Sequence, residues 1–129
     1  MLYCRKISGS VSDTVERIRQ AVKRHKFGIV GEIDLKAKMA DKGVSFGHEC
    51  MILEVCNPHQ AKKVLEVNPA ISTALPCRIS IYEQDGQVVV ATVKPTVLLE
   101  MYEKAASVES VAKDVEATMI AIIDESISS

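Results

Sequence analysis

Residues of the types that bind metals or react as nucleophiles lie in the middle of the chain: His48, Cys50, Cys56, His59 and Cys77. Imidazole nitrogens and thiolates are ligands that Zn²⁺ prefers, and a thiolate is also the nucleophile of thiol-dependent enzymes. Cys50 and Cys56 are six positions apart on one predicted strand, about 20 Å, which is too far to share an ion. His48 and Cys50 could share one, since alternate residues on a strand face are about 7 Å apart. The candidates for metal binding or thiol chemistry are therefore Cys56 and Cys77, and His59 is a weaker third candidate metal ligand.

Cys56 directly precedes Asn57 and Pro58, a pair that predicts the start of a helix. Backbone N–H groups at a helix start can lower the pKa of a thiol, which would favour a thiol-dependent redox protein or enzyme that uses Cys56 or Cys77. Simple packing is the favoured alternative, because a buried cysteine behaves as a small hydrophobic residue. Antiparallel pairing of the two strands would bring the cysteines together and a parallel crossover would separate them, and the sequence leaves both open.

A second candidate site is a polar face of the predicted sheet. Alternation places Met51, Leu53 and Val55 on one side of their strand and Glu54 on the other. If helices cover the first side, strand parity gives the other side a polar set that could hold a small polar ligand: His48, Glu54, Glu32, Asp34, Arg78, Ser80 and Tyr82. A single bulge would reverse this placement. A solvated face or a dimer surface is the favoured alternative to a ligand site.

Taken together, the two sets yield five candidate ligand-binding residues, which are His48, Glu54, Cys56, Cys77 and Arg78. No catalytic residue and no cofactor is predicted. The sequence contains no glycine-rich dinucleotide motif, phosphate-binding loop, zinc-protease motif or Cys-x-x-Cys pair.

Composition and charge exclude several classes of function. The chain has 16 basic and 17 acidic residues, and this balance argues against a dedicated nucleic-acid-binding protein. No apolar run approaches the roughly 20 residues that span a bilayer, and the first residues lack the apolar core of a signal peptide. We therefore expect a cytoplasmic protein with reduced thiols, without a nucleic-acid or membrane partner.

Hydrophobic periodicity and capping signals predict the elements that position these residues. Five strands are predicted at 2–7, 29–35, 48–56, 77–83 and 87–93, the last two joined by a turn at 84–86 that contains Asp-Gly. A first helix is capped at Ser10 and stops at Gly28, and a short one runs over 35–42 and closes at Gly43. Asn-Pro pairs start two more, a helix from Pro95 ends near Lys104, and Ser107 caps the last.

This order of elements predicts the α+β class in one domain, residues 1–129, with helices packed on one face of a mostly antiparallel sheet of about five strands. The strands alternate in polarity, whereas parallel strands covered on both faces are continuously apolar. The expected core consists of aliphatic side chains: Val15, Ile18, Val22, Ile33, Leu53, Ile81, Val89, Val115 and Ile122.

Three stretches resemble the family called domain of unknown function 302: FGIVGEIDLKAKMADKG at 27–43, EVCNPHQAKKVLEVNP at 54–69 and LPCRISIYEQDGQVVVATVKP at 75–95. The resemblance covers essentially the whole chain. It implies an α+β fold similar to the half-domain of the TATA-binding protein (TBP-like), and it implies pairing as a homodimer. Because the family is uncharacterised, it implies no activity.

The last predicted helix gives a further reason to expect a homodimer. Its apolar stripe of Val108, Val111, Val115, Met119 and Ile122 is joined by Ile120, Ile123 and Ile127 on other parts of the helical wheel. A helix that is apolar on several sides needs a partner, so we expect an interface of at least about 1,000 Å². The leading functional hypothesis is a non-enzymatic dimeric module that binds a small molecule or an anion, and the alternatives are thiol chemistry at Cys56 and Cys77 and metal binding.

Overall fold

The computed structural model describes residues 1–128 and has eleven elements in the order β-α-β-α-β-α-3₁₀-β-β-α-α. The strands are β1 Leu2–Ile7, β2 Gly28–Asp34, β3 Cys50–Cys56, β4 Cys77–Gln84 and β5 Gln87–Val93. The helices are α1 Val11–Arg24, α2 Leu35–Asp41, α3 Pro58–Val67, the 3₁₀ helix Pro69–Ala74, α4 Pro95–Glu100 and α5 Ala106–Ser128.

The five strands form one sheet in the order β1-β5-β4-β3-β2, and every neighbouring pair is antiparallel. Helices pack on this sheet, so the predicted α+β class is confirmed. Within the described residues, no helix combines the length and the hydropathy needed to cross a bilayer. The predicted likeness to the TBP half-domain stays a prediction.

The capping residues act as their positions predict. The Ser10 side chain accepts a hydrogen bond from Asp13 N at 3.0 Å at the start of α1. The Asn57 side chain accepts from the first backbone N–H groups of α3, and Asn68 does the same for the 3₁₀ helix. The β4–β5 hairpin turns through Asp85 and Gly86, at φ 51° and 77°.

Several predicted boundaries are wrong, and the larger differences are these. The chain leaves α1 through Lys26 at φ 60°, and Gly28 is already the first residue of β2. His48 lies in the loop before β3, which begins at Cys50. In the last third of the chain α4 ends at Glu100, and α5 begins at Ala106, so that Ser107 lies inside its first turn.

A β-bulge at Val30 changes which side chains of β2 reach the core. The register with β3 shifts between Ile29 and Gly31, so the residues beyond the bulge alternate in the opposite sense. Ile29 packs against the main core, whereas Ile33 pairs with Ile52, is only half-buried and was wrongly expected in the core. The physical reason is that one extra residue in a strand exchanges the faces of all the residues that follow it.

The main core lies between α1, α5 and one face of the sheet, which we call the helix face. Leu53, Ile79, Ile81, Val88 and Val90 supply the sheet side and are almost fully buried. Besides Ile33, every predicted core residue is buried, although Val89 belongs to the opposite face, since its neighbours Val88 and Val90 are the ones in the main core. We call the opposite side the second face.

The helix α5 is apolar on several sides because the protomer itself contacts it on several sides. Its C-terminal half packs in the main core, and its N-terminal half packs in a second cluster with Val64 of α3, Ile71 of the 3₁₀ helix and Leu99 of α4. Ile123 has 0% exposure and Ile127 packs against the core. The prediction that Ile123 faces a partner chain is therefore wrong.

Candidate functional site

The second face carries a charged pair near one end of the sheet. Glu54 of β3 is directly opposite Arg78 of β4, and Arg78 Nε lies 3.5 Å from Glu54 Oε2. Gly31 of β2 is opposite Glu54, and a Cβ at this position would clash with Glu54 Oε1. Glycine therefore lets the carboxylate lie against β2, where 20% of the Glu54 side chain remains exposed.

The rest of the predicted polar face is only partly assembled. Ser80 and Tyr82 lie on the second face with Arg78, as predicted. Glu32 and Asp34 are on the helix side instead, because the bulge in β2 reverses their parity. There Glu32 is hydrogen-bonded to Arg19 of α1, and Asp34 caps α2 by accepting from Ala37 N.

His48 does not contribute to this face. It is exposed in the loop before β3, and its ring packs edge-on against the Phe46 ring with 5.7 Å between centroids. Of His48 and Glu54, only Glu54 therefore lies on the second face of the sheet. Apolar side chains from Ile52, Val89 and Ala91 occupy the middle of the second face.

The antiparallel pairing of β3 and β4 brings Cys56 and Cys77 together. Val55 is directly opposite Cys77, so Cys56 is one residue away from that pairing position. Both cysteines line the same small cavity of about 30 Å³, which is otherwise largely apolar. The structure thereby decides between the two arrangements that the sequence left open.

The environment of the two thiols is unfavourable to thiolate formation. Burial raises the pKa of Cys77 to about 11, and the nearby Cys56 contributes in the same direction. Burial also raises the pKa of Cys56 above its usual value, so the helix start at Asn57 does not produce the lowered pKa that a reactive thiol needs. At neutral pH both sulfur atoms are protonated.

The same cavity contains an unusual polar atom. Gln60 Oε1 of α3 is buried and accepts no hydrogen bond from the part of the chain that the structure describes. A cavity of about 30 Å³ has room for roughly one water molecule, which would satisfy this acceptor. This polar atom next to two thiols could not be located from the sequence, because α3 meets β4 only in the tertiary structure.

A metal centre is not assembled from the predicted ligands. His59 is exposed on α3, while Cys77 is on the covered side of the sheet. Among residues 1–128 no group of three or more His, Cys, Asp or Glu side chains is placed to hold an ion.

A cleft of about 260 Å³ lies where the 3₁₀ helix, the start of β4, the end of β5 and α4 meet. Leu75, Pro76, Val93, Pro95 and Leu98 give it mainly apolar walls. Its other lining residues are Thr73, Ala74, Cys77, Arg78, Thr92, Leu99 and Tyr102. Two of the sequence-predicted candidates, Cys77 and Arg78, are therefore found in this one cleft, whereas the sequence offered no signal for Tyr102 or Leu98.

Local contacts hold the cleft residues in place. The Thr92 hydroxyl is buried and donates to Arg78 O at 2.7 Å, which ties the end of β5 to the start of β4. Asn68 Nδ2 donates to Tyr102 O at 3.3 Å, which ties the segment after α4 to the 3₁₀ helix. The Arg78 side chain is 63% exposed, so its guanidinium is accessible to a ligand from solvent.

Comparisons with known proteins agree with this architecture. The family model described as domain of unknown function DUF302 matches residues 3–126. The crystal structure of an uncharacterized conserved protein DUF302 from Bacillus stearothermophilus is similar, with a TM-score of 0.89 and 31% sequence identity over 96% of each chain. No curated protein matches the chain.

Proposed function

Because the chain belongs to the DUF302 family, a domain of unknown function, we propose its function from geometry: a non-enzymatic, dimeric module that binds a small molecule or an anion. The observation that supports this proposal is the cleft of about 260 Å³ in which apolar walls meet Arg78. Ligand sites are concave, mostly apolar and provided with a few polar groups that orient the ligand. This cleft has that composition.

Thiol chemistry at Cys56 and Cys77 is the second candidate function, and the observation in its favour is that both residues line one cavity. The raised pKa values act against it, because the thiolate is the reactive form. Alkylation with iodoacetamide across pH 6–10 distinguishes the two roles. A reactive thiol would be modified rapidly below pH 7.5, whereas thiols that only pack would react slowly until the pH is well above neutral.

The dimer would use the second face of the sheet. Leu2 on the edge strand β1 is 55% exposed there, and Val30 on the opposite edge strand is 63% exposed. Exposed apolar side chains of this kind are typical of contact surfaces. Closed two-fold dimers are the commonest assembly for one such surface.

Sedimentation equilibrium tests the dimer. We expect a mass near twice 14.1 kDa at tens of micromolar. Leu2→Lys should shift the equilibrium toward the protomer, whereas Val67→Lys should not, since Val67 is a comparably exposed residue on α3 with 41% exposure. A wild-type protein that sediments as a 14.1 kDa species would refute the dimer.

Native mass spectrometry of freshly isolated protein tests binding. We expect a small molecule to be retained by the wild type and to be lost in Leu98→Glu, which places a charge in the apolar wall of the cleft. Retention by Leu98→Glu would show that binding occurs elsewhere. We further propose that the protein acts in the cytoplasm, where its four unpaired cysteines would remain reduced.

A further inference from the structure

We infer that the cleft takes a small carboxylate with a compact apolar body, an inference that depends on the binding role proposed above. The carboxylate would lie on the guanidinium of Arg78, and the body would contact the walls formed by Leu75, Val93 and Leu98. Three observations support this class of ligand: the free donors of Arg78, the local charge and the size of the cleft.

The guanidinium of Arg78 is engaged on one side only. Its Nε lies 3.5 Å from Glu54 Oε2, and within the described residues its two terminal nitrogens have no hydrogen-bond partner. Two parallel N–H groups on one guanidinium match the two oxygens of a carboxylate, and such bidentate pairs are among the stronger hydrogen bonds in proteins. Glu54 thus orients the guanidinium without occupying these donors.

The local charge favours a ligand with a single negative charge. Arg78 is the one cationic lining residue of the cleft in the part of the chain that the structure describes, and Glu54 stands beside it. A dianion such as phosphate would be repelled by Glu54 without a second cation to balance it. A monocarboxylate brings one charge and meets one cation.

The size and the walls of the cleft favour a compact apolar body. Its volume of about 260 Å³ is slightly below the lower end, roughly 300 Å³, of sites that hold drug-sized molecules. The hydroxyl of Tyr102, which has no hydrogen-bond partner among the described residues, supplies one further polar group. A benzene ring or a short branched chain is the kind of body that suits such walls.

Isothermal titration calorimetry with defined probes tests the ligand class. The probes are benzoate, its neutral counterpart benzamide, isovalerate and inorganic phosphate, each added to the full chain. We expect benzoate or isovalerate to bind, and benzamide and phosphate to bind about tenfold or more weakly, since a charge-assisted hydrogen bond would be lost or a repulsion gained.

Variants locate the interaction. Arg78→Ala should weaken benzoate binding about tenfold or more and leave benzamide binding unchanged. Glu54→Gln should leave benzoate binding equal or stronger, because it removes the negative charge beside Arg78 while the amide oxygen can still face Nε. Lys63→Ala is the matched control, since Lys63 is an exposed cation on α3 outside the cleft, and it should bind benzoate like the wild type. Circular dichroism checks that each variant is folded.

The possible outcomes separate this inference from the proposed function. Equal binding of benzoate and benzamide, tighter binding of phosphate, or full benzoate binding by a folded Arg78→Ala would overturn the carboxylate assignment. In those cases a ligand that is lost in Leu98→Glu would still support the proposed binding role. Absence of binding by every probe together with no retained molecule in native mass spectra would overturn both.

Discussion

Replacing Leu53 by alanine tests the arrangement of the core most directly. Leu53 is in β3, which pairs on both sides, and its side chain has 0% exposure on the helix face. Ile79 is directly opposite on β4 and is equally buried. The truncation removes methyl groups from the middle of the main core, and the flanking strands limit how far the site can collapse.

The expected loss of unfolding free energy follows from the complete burial of the Leu53 side chain. A buried Leu→Ala change costs the transfer free energy of the lost groups and the free energy of the cavity that remains, together about 2–5 kcal/mol. Leu53 is fully buried beneath the helices, and its own strand β3 is held by a neighbouring strand on each side. We therefore expect a loss of unfolding free energy in the upper half of that range. Ile52→Ala is the matched control, since Ile52 precedes Leu53 but lies half-buried on the second face. Its loss should be clearly smaller.

Urea denaturation followed by circular dichroism measures both free energies of unfolding, and equal slopes would show that the unfolded states are comparable. The assay must be run at one protein concentration, because a dimer makes apparent stability depend on concentration. A loss below about 0.5 kcal/mol for Leu53→Ala would refute the assignment of the helix face. An equal loss for Ile52→Ala would refute the distinction between the two faces.

Three further predictions concern the corrected helix and two titrations. Ile123→Lys should unfold the protomer, because the side chain has 0% exposure, and a folded but less associated variant in sedimentation and circular dichroism would contradict this. Stability should fall as the pH rises from 9.0 to about 11, since the pKa of Cys77 is raised on folding and the unfolded thiol ionises first; Cys77→Ala should make this fall smaller in alkaline denaturation curves, with the raised pKa of Cys56 leaving a residual dependence. Hydrogen bonds from His25 and Arg24 lower the pKa of Glu125, so its contribution is present at neutral pH and lost as the pH falls through that pKa. Glu125→Gln should therefore lower the thermal midpoint most at neutral pH, and its difference from the wild type should shrink as the pH is lowered; a difference that does not change with pH would count against the assignment.

Most of the fold could be predicted because its signals are local. Asn57 and Asn68 mark helix starts with the next residue, a proline, in the first helical position, and their side chains accept the predicted hydrogen bonds. Alternation within β3 correctly separated Leu53 from Glu54. These features depend on a few consecutive residues, so no knowledge of distant contacts was needed.

The faces of β2 could not be predicted in the same way. The bulge at Val30 transfers Glu32 and Asp34 to the helix side and Ile33 to the second face. Gly31 inside the strand is a residue type that often marks a bulge, but it does not by itself fix the position at which the register shifts. Gly31 is opposite Glu54, and the need to accommodate that carboxylate is visible only once β2 and β3 are paired.

The candidate site was likewise predictable in its residue types but not in its assembly. The sequence indicated Glu54, Arg78 and the cysteines as residues of interest by their types and positions, but it could not bring Arg78 together with Tyr102 and Leu98. It also could not show that burial raises the pKa of Cys77, which is a property of the packed surroundings.

The sequence by itself determined the number and type of most elements, the caps, the β4–β5 hairpin and the family. Tertiary structure alone decided the strand order, the parity of β2, the adjacency of Cys56 and Cys77, and the packing of α5 on several sides. The physical reason is the separation along the chain of the residues that interact. Capping and alternation are interactions between residues a few positions apart, whereas register, burial and cleft formation depend on segments that are distant in the chain and meet only when the core forms.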